Sequence, residues 1–209
     1  MLQHRFGPAL ALIRRALLLG GSNWGIDHPQ LAPVLNTLAG IYGAQRKWDD
    51  AQATLERARA IHQHSLGARH PAVGAVLNNL GALALQRLRY AEADRQFREA
   101  LQIFEEAYGP EHVQAGKGLN NLAESLRSQN RHSEAEPHFR RALAICDRSL
   151  PGDHPQTIQT LVNYARLLRQ SSRKGEASRM EKRAGQALTS RKRTDPSEGL
   201  TVDYRDLAR

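Results

Sequence analysis

The chain has 209 residues, of which 40% are hydrophobic and only 5% aromatic, and its formal net charge is +9. Ala, Leu, Arg, Glu and Gln dominate and β-branched residues are sparse, which favours helices and argues against a disordered or strand-rich chain. No apolar run approaches the length that spans a bilayer, so we expect no membrane partner. The single cysteine, Cys146, excludes an intramolecular disulfide and favours a reducing compartment, so we expect a cytoplasmic protein.

The first stretch, residues 1–27, is basic and apolar and has no acid before Asp27, which invites interpretation as a targeting peptide. Its register favours another interpretation. A shift of 126 residues places Ile13-Arg14-Arg15-Ala16-Leu17 on Phe139-Arg140-Arg141-Ala142-Leu143. Residues 9–20 are therefore predicted to be the second helix of a repeat unit without its first helix. We interpret 1–27 as a partial repeat or an N-terminal cap.

A repeat of 42 residues follows, marked by His28, His70, His112 and His154. It predicts units at 28–69, 70–111 and 112–153, and a degenerate capping unit at 154–188. The capping interpretation comes from Glu181, because this charged residue stands where Leu55, Phe97 and Phe139 stand in the other units.

Each unit is predicted to hold two helices, an A helix followed by a B helix. In the first unit the A helix begins at the His-Pro pair, where His28 lies near the N-cap, and it carries apolar residues at 32, 35, 38, 39 and 42. A break around Gln45-Arg46-Lys47 separates it from a B helix at about Trp48 to Leu66, which a glycine ends.

The pattern stops after Leu188, and we interpret 189–209 as a basic linker and tail. Residues 154–209 hold twelve basic and six acidic residues, so much of the positive charge lies near this end. A nucleic-acid-binding protein more often carries a basic stripe along its folded body, so binding of nucleic acid through this region is the less favoured alternative.

Three motifs carry a family resemblance: LNNLG at 77–81, LNNLA at 119–123 and the Gly-x-x-His-Pro joint between units. Together with the 42-residue period, they resemble tetratricopeptide repeats (TPRs), specifically those of the kinesin light chain type. The resemblance covers roughly residues 9–188. It implies an all-α fold, a right-handed superhelical solenoid of antiparallel helix pairs, whose A helices line a concave groove that binds proteins.

Paired asparagines in the middle of the A helices then become candidates for groove residues. The second members, Asn79, Asn121 and Asn163, form a series with Thr37 at its head, on the side opposite the apolar stripe. A carboxamide both donates and accepts hydrogen bonds, so a row of them suits the backbone of an extended peptide. Asn78 and Asn120 lie at the edge of the same surface. The alternative is that these side chains only satisfy polar groups between repeats.

Positive charges on the same predicted surface belong to the last two units, at Lys117, Arg127, Arg166 and Arg169. Arginine forks onto a carboxylate through two hydrogen bonds, so we expect an acidic side chain or a free C-terminal carboxylate in the ligand. A solvated basic face is the alternative. The candidate peptide-binding residues are Thr37, Asn78, Asn79, Lys117, Asn120, Asn121, Arg127, Asn163, Arg166 and Arg169.

Catalytic and metal-binding motifs are missing from the sequence. The four periodic histidines, His28, His70, His112 and His154, lie on successive units and cannot converge on one ion, and Cys146 has no suitable base or orienting partner. We therefore expect no metal, no cofactor and no enzyme. The function predicted is a scaffold that binds a peptide or partner protein. The alternative is an architectural module that self-associates through its terminal helices into a homo-oligomer.

Overall fold

The computed structural model describes residues 7–194, and all regular structure in that range is α-helical. The helices of this range are α1 Gly7–Trp24, α2 Leu31–Ala44, α3 Trp48–Leu66, α4 Pro71–Gln86, α5 Tyr90–Tyr108, α6 Val113–Ser128, α7 His132–Ser149, α8 Pro155–Gln170 and α9 Lys174–Thr194. They divide into two compact units, Met1–Ile103 and Phe104–Arg209, with the boundary inside α5. The predicted all-α class is confirmed.

Unit 1 is built on the pair α2 and α3, with α1 packed against α2 and α4 packed against α3. The predicted B helix at Trp48 to Leu66 is confirmed, because α3 has these bounds. Small and branched apolar side chains alternate at the contact, which lets the helix axes approach closely. The central cluster consists of Ala32, Leu35, Ala39, Ala51, Leu55, Ala58, Ile61, Val76, Leu80 and Leu83.

The helix predicted within residues 9–20 is present as the longer α1. Its buried residue is Gly20, where an added Cβ would lie 2.6 Å from a methyl carbon of Leu31. The missing side chain therefore lets α1 lie directly against the start of α2.

Unit 2 holds the sequential contacts α6 with α7, α7 with α8 and α8 with α9. Phe139 is fully buried, and its ring stacks on Tyr164 with centroids 5.9 Å apart. An added Cβ at Gly116 would lie 3.1 Å from Ile145, so α6 and α7 are in close contact at this glycine. Glu181 on α9 faces Arg169 on α8, so the polar residue at this core position has a partner.

Histidine caps begin three of the A helices. The Nδ1 atoms of His70, His112 and His154 accept backbone N–H groups of Ala72, Gln114 and Gln156, respectively, as the N-cap interpretation predicts. His28 accepts from Gln30 in the same way, but α2 begins only at Leu31. Its first turn instead closes with Leu31 N–H to His28 O and Ala32 N–H to Pro29 O. The predicted helix start at the first His-Pro pair is therefore wrong by two to three residues.

The turn between each A helix and its B helix has the same backbone form in every unit. The third residue after the A helix donates its backbone N–H to a carbonyl of the last helical turn, for example Lys47 N–H to Tyr42 O. The residue before it is left-handed, with φ near +60°, which is the conformation of a Schellman C-cap. These left-handed residues are Arg46, Leu88, Asn130 and Ser172, spaced by the 42-residue period.

Candidate protein-interaction surface

In unit 1, the side of α2 and α4 opposite the core stripe is exposed. Thr37 and Asn79, the candidate groove residues on these helices, are both exposed, and so are Pro33, Gly40 and Ala75 along the same stripes. The side chains on this surface are small and almost all uncharged. The surface presents little side-chain bulk, so a bound chain would approach the helix backbones closely.

Asn36 and Asn79 connect α2 to α4 within this surface. Asn79 Nδ2 donates to Asn36 Oδ1 at 3.4 Å, near the limit of a hydrogen bond. The Oδ1 atom of Asn79 accepts no bond from the described part of the chain, so it is available to a peptide N–H. Thr37 does not join this pair, because its hydroxyl donates to Pro33 O in its own helix.

In unit 2, the equivalent asparagines form a buried network between α6 and α8. Asn163 Nδ2 donates to Asn120 Oδ1 at 3.2 Å, and Asn163 Oδ1 accepts from Gln159 at 2.9 Å. Asn120 also donates to Asn121 at 3.1 Å. Asn163 and Asn120 are only 4% and 5% exposed. These bonds correspond to the alternative in which the asparagines satisfy polar groups between repeats.

The two members of each asparagine pair therefore differ in position. The first member is buried, as Asn78 and Asn120 are, each 5% exposed. The second reaches the surface at Asn79 and, half-buried, at Asn121. Asparagine is tolerated in the middle of these helices because the joint supplies hydrogen bonds that offset its poor helix propensity.

Two of the four candidate cations bind carboxylates of the protein itself. Arg127 forks onto Glu124 at 2.8 and 2.6 Å and also donates to Gln170 at 2.9 Å. The hydrogen bond to Glu124 raises the pKa of Arg127. Arg169 forks onto Glu181 at 2.5 and 2.7 Å, and that bond raises the pKa of Arg169. A ligand carboxylate would compete with these internal acids.

The other two candidate cations are Lys117 and Arg166. Lys117 is exposed on α6 and pairs with no acid in the described part of the chain. Arg166 is half-buried on α8. Among the candidate cations, Lys117 is thus the one whose charge a carboxylate can reach without displacing an internal partner.

Four residues outside the candidate set each bond to a candidate residue: Asn36, Gln159, Gln170 and Glu181. The sequence carried a signal for two of these contacts. Side chains on neighbouring A helices meet at a separation of 43 residues, one more than the repeat period, as in Asn36 with Asn79 and Asn120 with Asn163. The pair Arg127 and Gln170 has the same separation.

Other chemistry does not gather at this surface. Across residues 7–194, no cluster of three or more His, Cys, Asp or Glu side chains is arranged to hold a metal ion. Cys146 is buried, and burial raises the pKa of its thiol, which lowers its reactivity. None of the helices described is long and apolar enough to cross a membrane.

These features define a tandem-repeat protein built from α-helical pairs. A family model described as tetratricopeptide repeat matches residues 30–106, 73–148 and 114–190, so the chain belongs to the tetratricopeptide repeat family and the predicted resemblance is confirmed. Such repeats are generally protein–protein interaction modules, and proteins built from them are generally non-enzymatic scaffolds. A search of curated proteins found no match.

Several solved structures share the fold. BtubC (BKLC) from P. vanneervenii is 23% identical with a TM-score of 0.74, over 95% of this chain and 81% of that one. A putative kinesin light chain with TPR-like repeats from Podosopora anserina is 20% identical with a TM-score of 0.65, over 91% and 89%. The apo form of RapI is 16% identical with a TM-score of 0.73, over 90% and 66%. At these identities the similarity concerns the fold alone.

Proposed function

We propose that the chain is an interaction scaffold that holds a peptide segment or a partner protein against the exposed side of its A helices. The observation that carries this proposal is the uncovered stripe of Pro33, Thr37, Ala75 and Asn79 in unit 1. Exposed polar and small side chains of this kind either contact a partner or remain in solvent. Here the stripe includes an amide oxygen free to accept a backbone N–H.

The partner we propose carries a carboxylate, which binds Lys117 on α6. The exposure of Lys117 and its lack of an internal acid support this choice. Arg127 and Arg169 hold Glu124 and Glu181, so their role in binding is an exchange of one carboxylate for another. Such an exchange contributes little net energy, because both states hold a similar ion pair.

The experiment is a screen of the intact protein against arrayed 12-residue peptides in three matched forms: neutral with an amidated end, neutral with a free carboxyl end, and amidated with acidic side chains. We expect binding to the second or third form, since only these bring a carboxylate to Lys117. Comparison of binding to the second and third forms then identifies whether the C-terminus or a side chain is recognised.

Lys117→Ala tests the anchor, and Lys182→Ala on α9 is its matched control, because it removes the same charge from an exposed site off the A helices. We expect Lys117→Ala to weaken binding of the selected peptide about tenfold and Lys182→Ala to leave it unchanged. Equal loss in both variants would show that only overall charge matters. No binding to any of the three peptide forms would contradict the proposed function.

The single cysteine, Cys146, bears on the cellular compartment in which the protein works. The chain has one cysteine, which is buried and unpaired, and this supports our proposal that the protein works in the reducing cytoplasm.

A further inference from the structure

A cavity in unit 1 lies between α3 and the linker that joins α1 to α2, residues 25–30. Its volume is about 350 Å³, and five residues line it: Asp27, Arg57, Ala60, Ile61 and His64. Asp27 belongs to the linker, and the other four lie on one side of α3 at helical spacing. This linker cavity therefore combines an apolar wall with charged and polar groups.

The acidic group of the linker cavity is held loosely. Arg57 donates to Ile26 O in the linker, and its Nε lies 3.9 Å from Asp27 Oδ1. That distance is too long for a hydrogen bond, and the Asp27 side chain is 72% exposed. Within residues 7–194, the Asp27 carboxylate accepts no hydrogen bond. Both of its oxygens are therefore available to a ligand that donates hydrogen bonds.

The linker between α5 and α6, residues 109–112 in unit 2, shows how the same arrangement is completed. Two repeat periods after Arg57, Arg141 donates to Pro110 O at 2.7 Å, and its Nε lies 3.8 Å from Glu111 Oε1. A second arginine, Arg148, binds the other carboxylate oxygen of Glu111.

The residue that corresponds to Arg148 in unit 1 is His64. Its side chain is shorter than that of arginine, and it makes no hydrogen bond or ion pair with any described residue. Asp27 corresponds to Glu111 in the same way. The linker cavity is therefore the place in unit 1 that an arginine side chain occupies in unit 2.

We infer that the linker cavity binds an arginine side chain of a partner protein. The guanidinium pairs with Asp27, as Arg148 pairs with Glu111 in unit 2. The aliphatic part of the side chain lies along Ala60 and Ile61, which supply apolar surface. Arginine suits the site better than lysine, because its planar guanidinium can donate two parallel hydrogen bonds to one carboxylate.

This site is separate from the exposed side of the A helices on which the proposed function depends. It lies on a B helix and a linker, and it selects a cation, whereas the proposed contact at Lys117 selects a carboxylate. The two proposals can therefore fail independently.

We expect binding of a single arginine to be weak. In unit 2, Arg141 has a second acid, Glu105, at 2.9 Å, whereas the corresponding position in α1 is Gly21. The charge of Arg57 is therefore less compensated, and it repels an incoming guanidinium. Exposed ion pairs also contribute little, so we expect a dissociation constant of about 1 mM for a short peptide.

The test titrates the intact protein with acetylated and amidated glycine peptides that carry one central arginine, lysine or citrulline. Citrulline has nearly the shape of arginine but no charge. Backbone amide NMR signals of Asp27 and Ile61 report occupation of the cavity. We expect saturable shifts with the arginine peptide, weaker binding of the lysine peptide, and at least about tenfold weaker binding of the citrulline peptide.

Three variants then locate the site, and all three positions are exposed, so the fold is not threatened. Asp27→Asn should weaken binding of the arginine peptide about tenfold. His64→Arg copies Arg148 and should abolish binding, because the protein's own side chain then fills the cavity. Glu56→Gln is the matched control and should leave binding unchanged, since Glu56 is an acid on α3 that does not line the cavity.

Four results would each overturn the proposal. They are no shift at about 10 mM arginine peptide, equal binding of the citrulline peptide, equal binding of the lysine peptide, and binding that survives both Asp27→Asn and His64→Arg. A loss of binding in Glu56→Gln as large as that in Asp27→Asn would also contradict it, because the effect would then come from overall charge.

Discussion

The joint between α2 and α4 in unit 1 and the joint between α6 and α8 in unit 2 use asparagines at the same repeat positions to different effect. Asn79 is exposed and makes one long bond of 3.4 Å to Asn36. Asn163 is 4% exposed and is bonded at both ends of its amide. A residue's place in a repeat therefore fixes where its side chain lies, but its neighbours decide whether that side chain is free to bind a partner.

The neighbour that makes the difference is one turn earlier on the same helix. Gln159 donates to Asn163 Oδ1, whereas the equivalent residue before Asn79 is Ala75, which has nothing to donate. Unit 1 thus leaves its amide oxygen open to a ligand. Unit 2 uses the same atom for its own stability.

The largest effect expected from this difference is on stability. Asn163→Ala should lower the free energy of unfolding of unit 2 by about 2 kcal/mol, because it leaves the buried Asn120 Oδ1 and the half-buried Gln159 amide without partners. Asn79→Ala should change stability by less than about 0.5 kcal/mol, since its site is exposed.

Hydrogen exchange of α8 and α4 amides measures the two effects separately, because it reports stability helix by helix. Gln159→Ala is the control, and it should reproduce part of the loss of Asn163→Ala while leaving α4 unchanged. Equal destabilisation by Asn163→Ala and Asn79→Ala would contradict the difference between the joints.

A smaller effect is expected at the helix contact inside unit 1. Gly81→Ala should destabilise by roughly 1–2 kcal/mol, although alanine is the better helix former, because its Cβ would lie 2.7 Å from the Phe97 ring. Gly40→Ala on α2 is the matched change, with no atom within 4 Å, and should stabilise by about 0.5–1 kcal/mol. Thermal unfolding measures the stability change of both variants. A change of the same sign in both would show that the Phe97 contact does not determine the effect of Gly81→Ala.

The two units should also respond differently to acid. Burial lowers the pKa of His62, and the charge of nearby His70 lowers it further. The unfolded chain therefore takes up the proton first, so the stability of unit 1 is complete above the unfolded pKa of about 6.5 and falls as the pH drops below it. Unit 2 has Cys146 at the equivalent position and lacks this dependence.

His62→Phe, which copies Phe104 of the next unit, should flatten the pH dependence of unit 1 and raise its stability by about 1 kcal/mol. Nδ1 of His62 is buried without a partner, and the change removes that cost. Hydrogen exchange of α3 at pH 7 and pH 5 provides the measurement. An unaltered pH slope in the variant would assign acid sensitivity to other groups.

The smallest effect is expected at the left-handed turn residues. Leu88→Gly in unit 1 should stabilise by roughly 0.5 kcal/mol, because leucine is strained at φ 59° and glycine is not, and the greater freedom of unfolded glycine offsets only part of the relief. Asn130→Gly in unit 2 should be close to neutral, since asparagine tolerates φ 60°. Equilibrium unfolding in urea compares them, and a stabilised Asn130→Gly variant would argue against side-chain strain as the cause.

Much of the fold could be predicted from the sequence because the repeat tests each position several times. The period located the B helix at Trp48 to Leu66 and the caps at His70, His112 and His154, where the same backbone geometry recurs. The first A helix began later than predicted, at Leu31, because its opening turn closes with shorter-range bonds that no residue pattern marks. The residue limits assigned to each 42-residue repeat remain predictions.

The candidate surface was harder to predict because it depends on which side chains contact one another, and the repeat period alone does not determine those contacts. A stripe analysis treats every helix as isolated, so it gave Asn163 and Asn79 the same role. It also counted Arg127 and Arg169 as available cations, although Glu124 and Glu181 hold them. Glu124 and Gln159 lie on the same helix as the side chains that they contact, Asn120 lies one position beyond the repeat period from Asn163, and Glu181 lies on the B helix. The stripe analysis considered none of these contacts.

The central claim is that a ligand uses the open asparagine of unit 1 and leaves the closed one of unit 2 in place. The most direct measurement is the set of side-chain amide NMR signals of Asn79 and Asn163 during titration with the peptide selected in the screen. We predict that the Asn79 signal shifts in proportion to bound peptide while the Asn163 signal stays fixed. A shift at Asn163 without one at Asn79 would contradict the account.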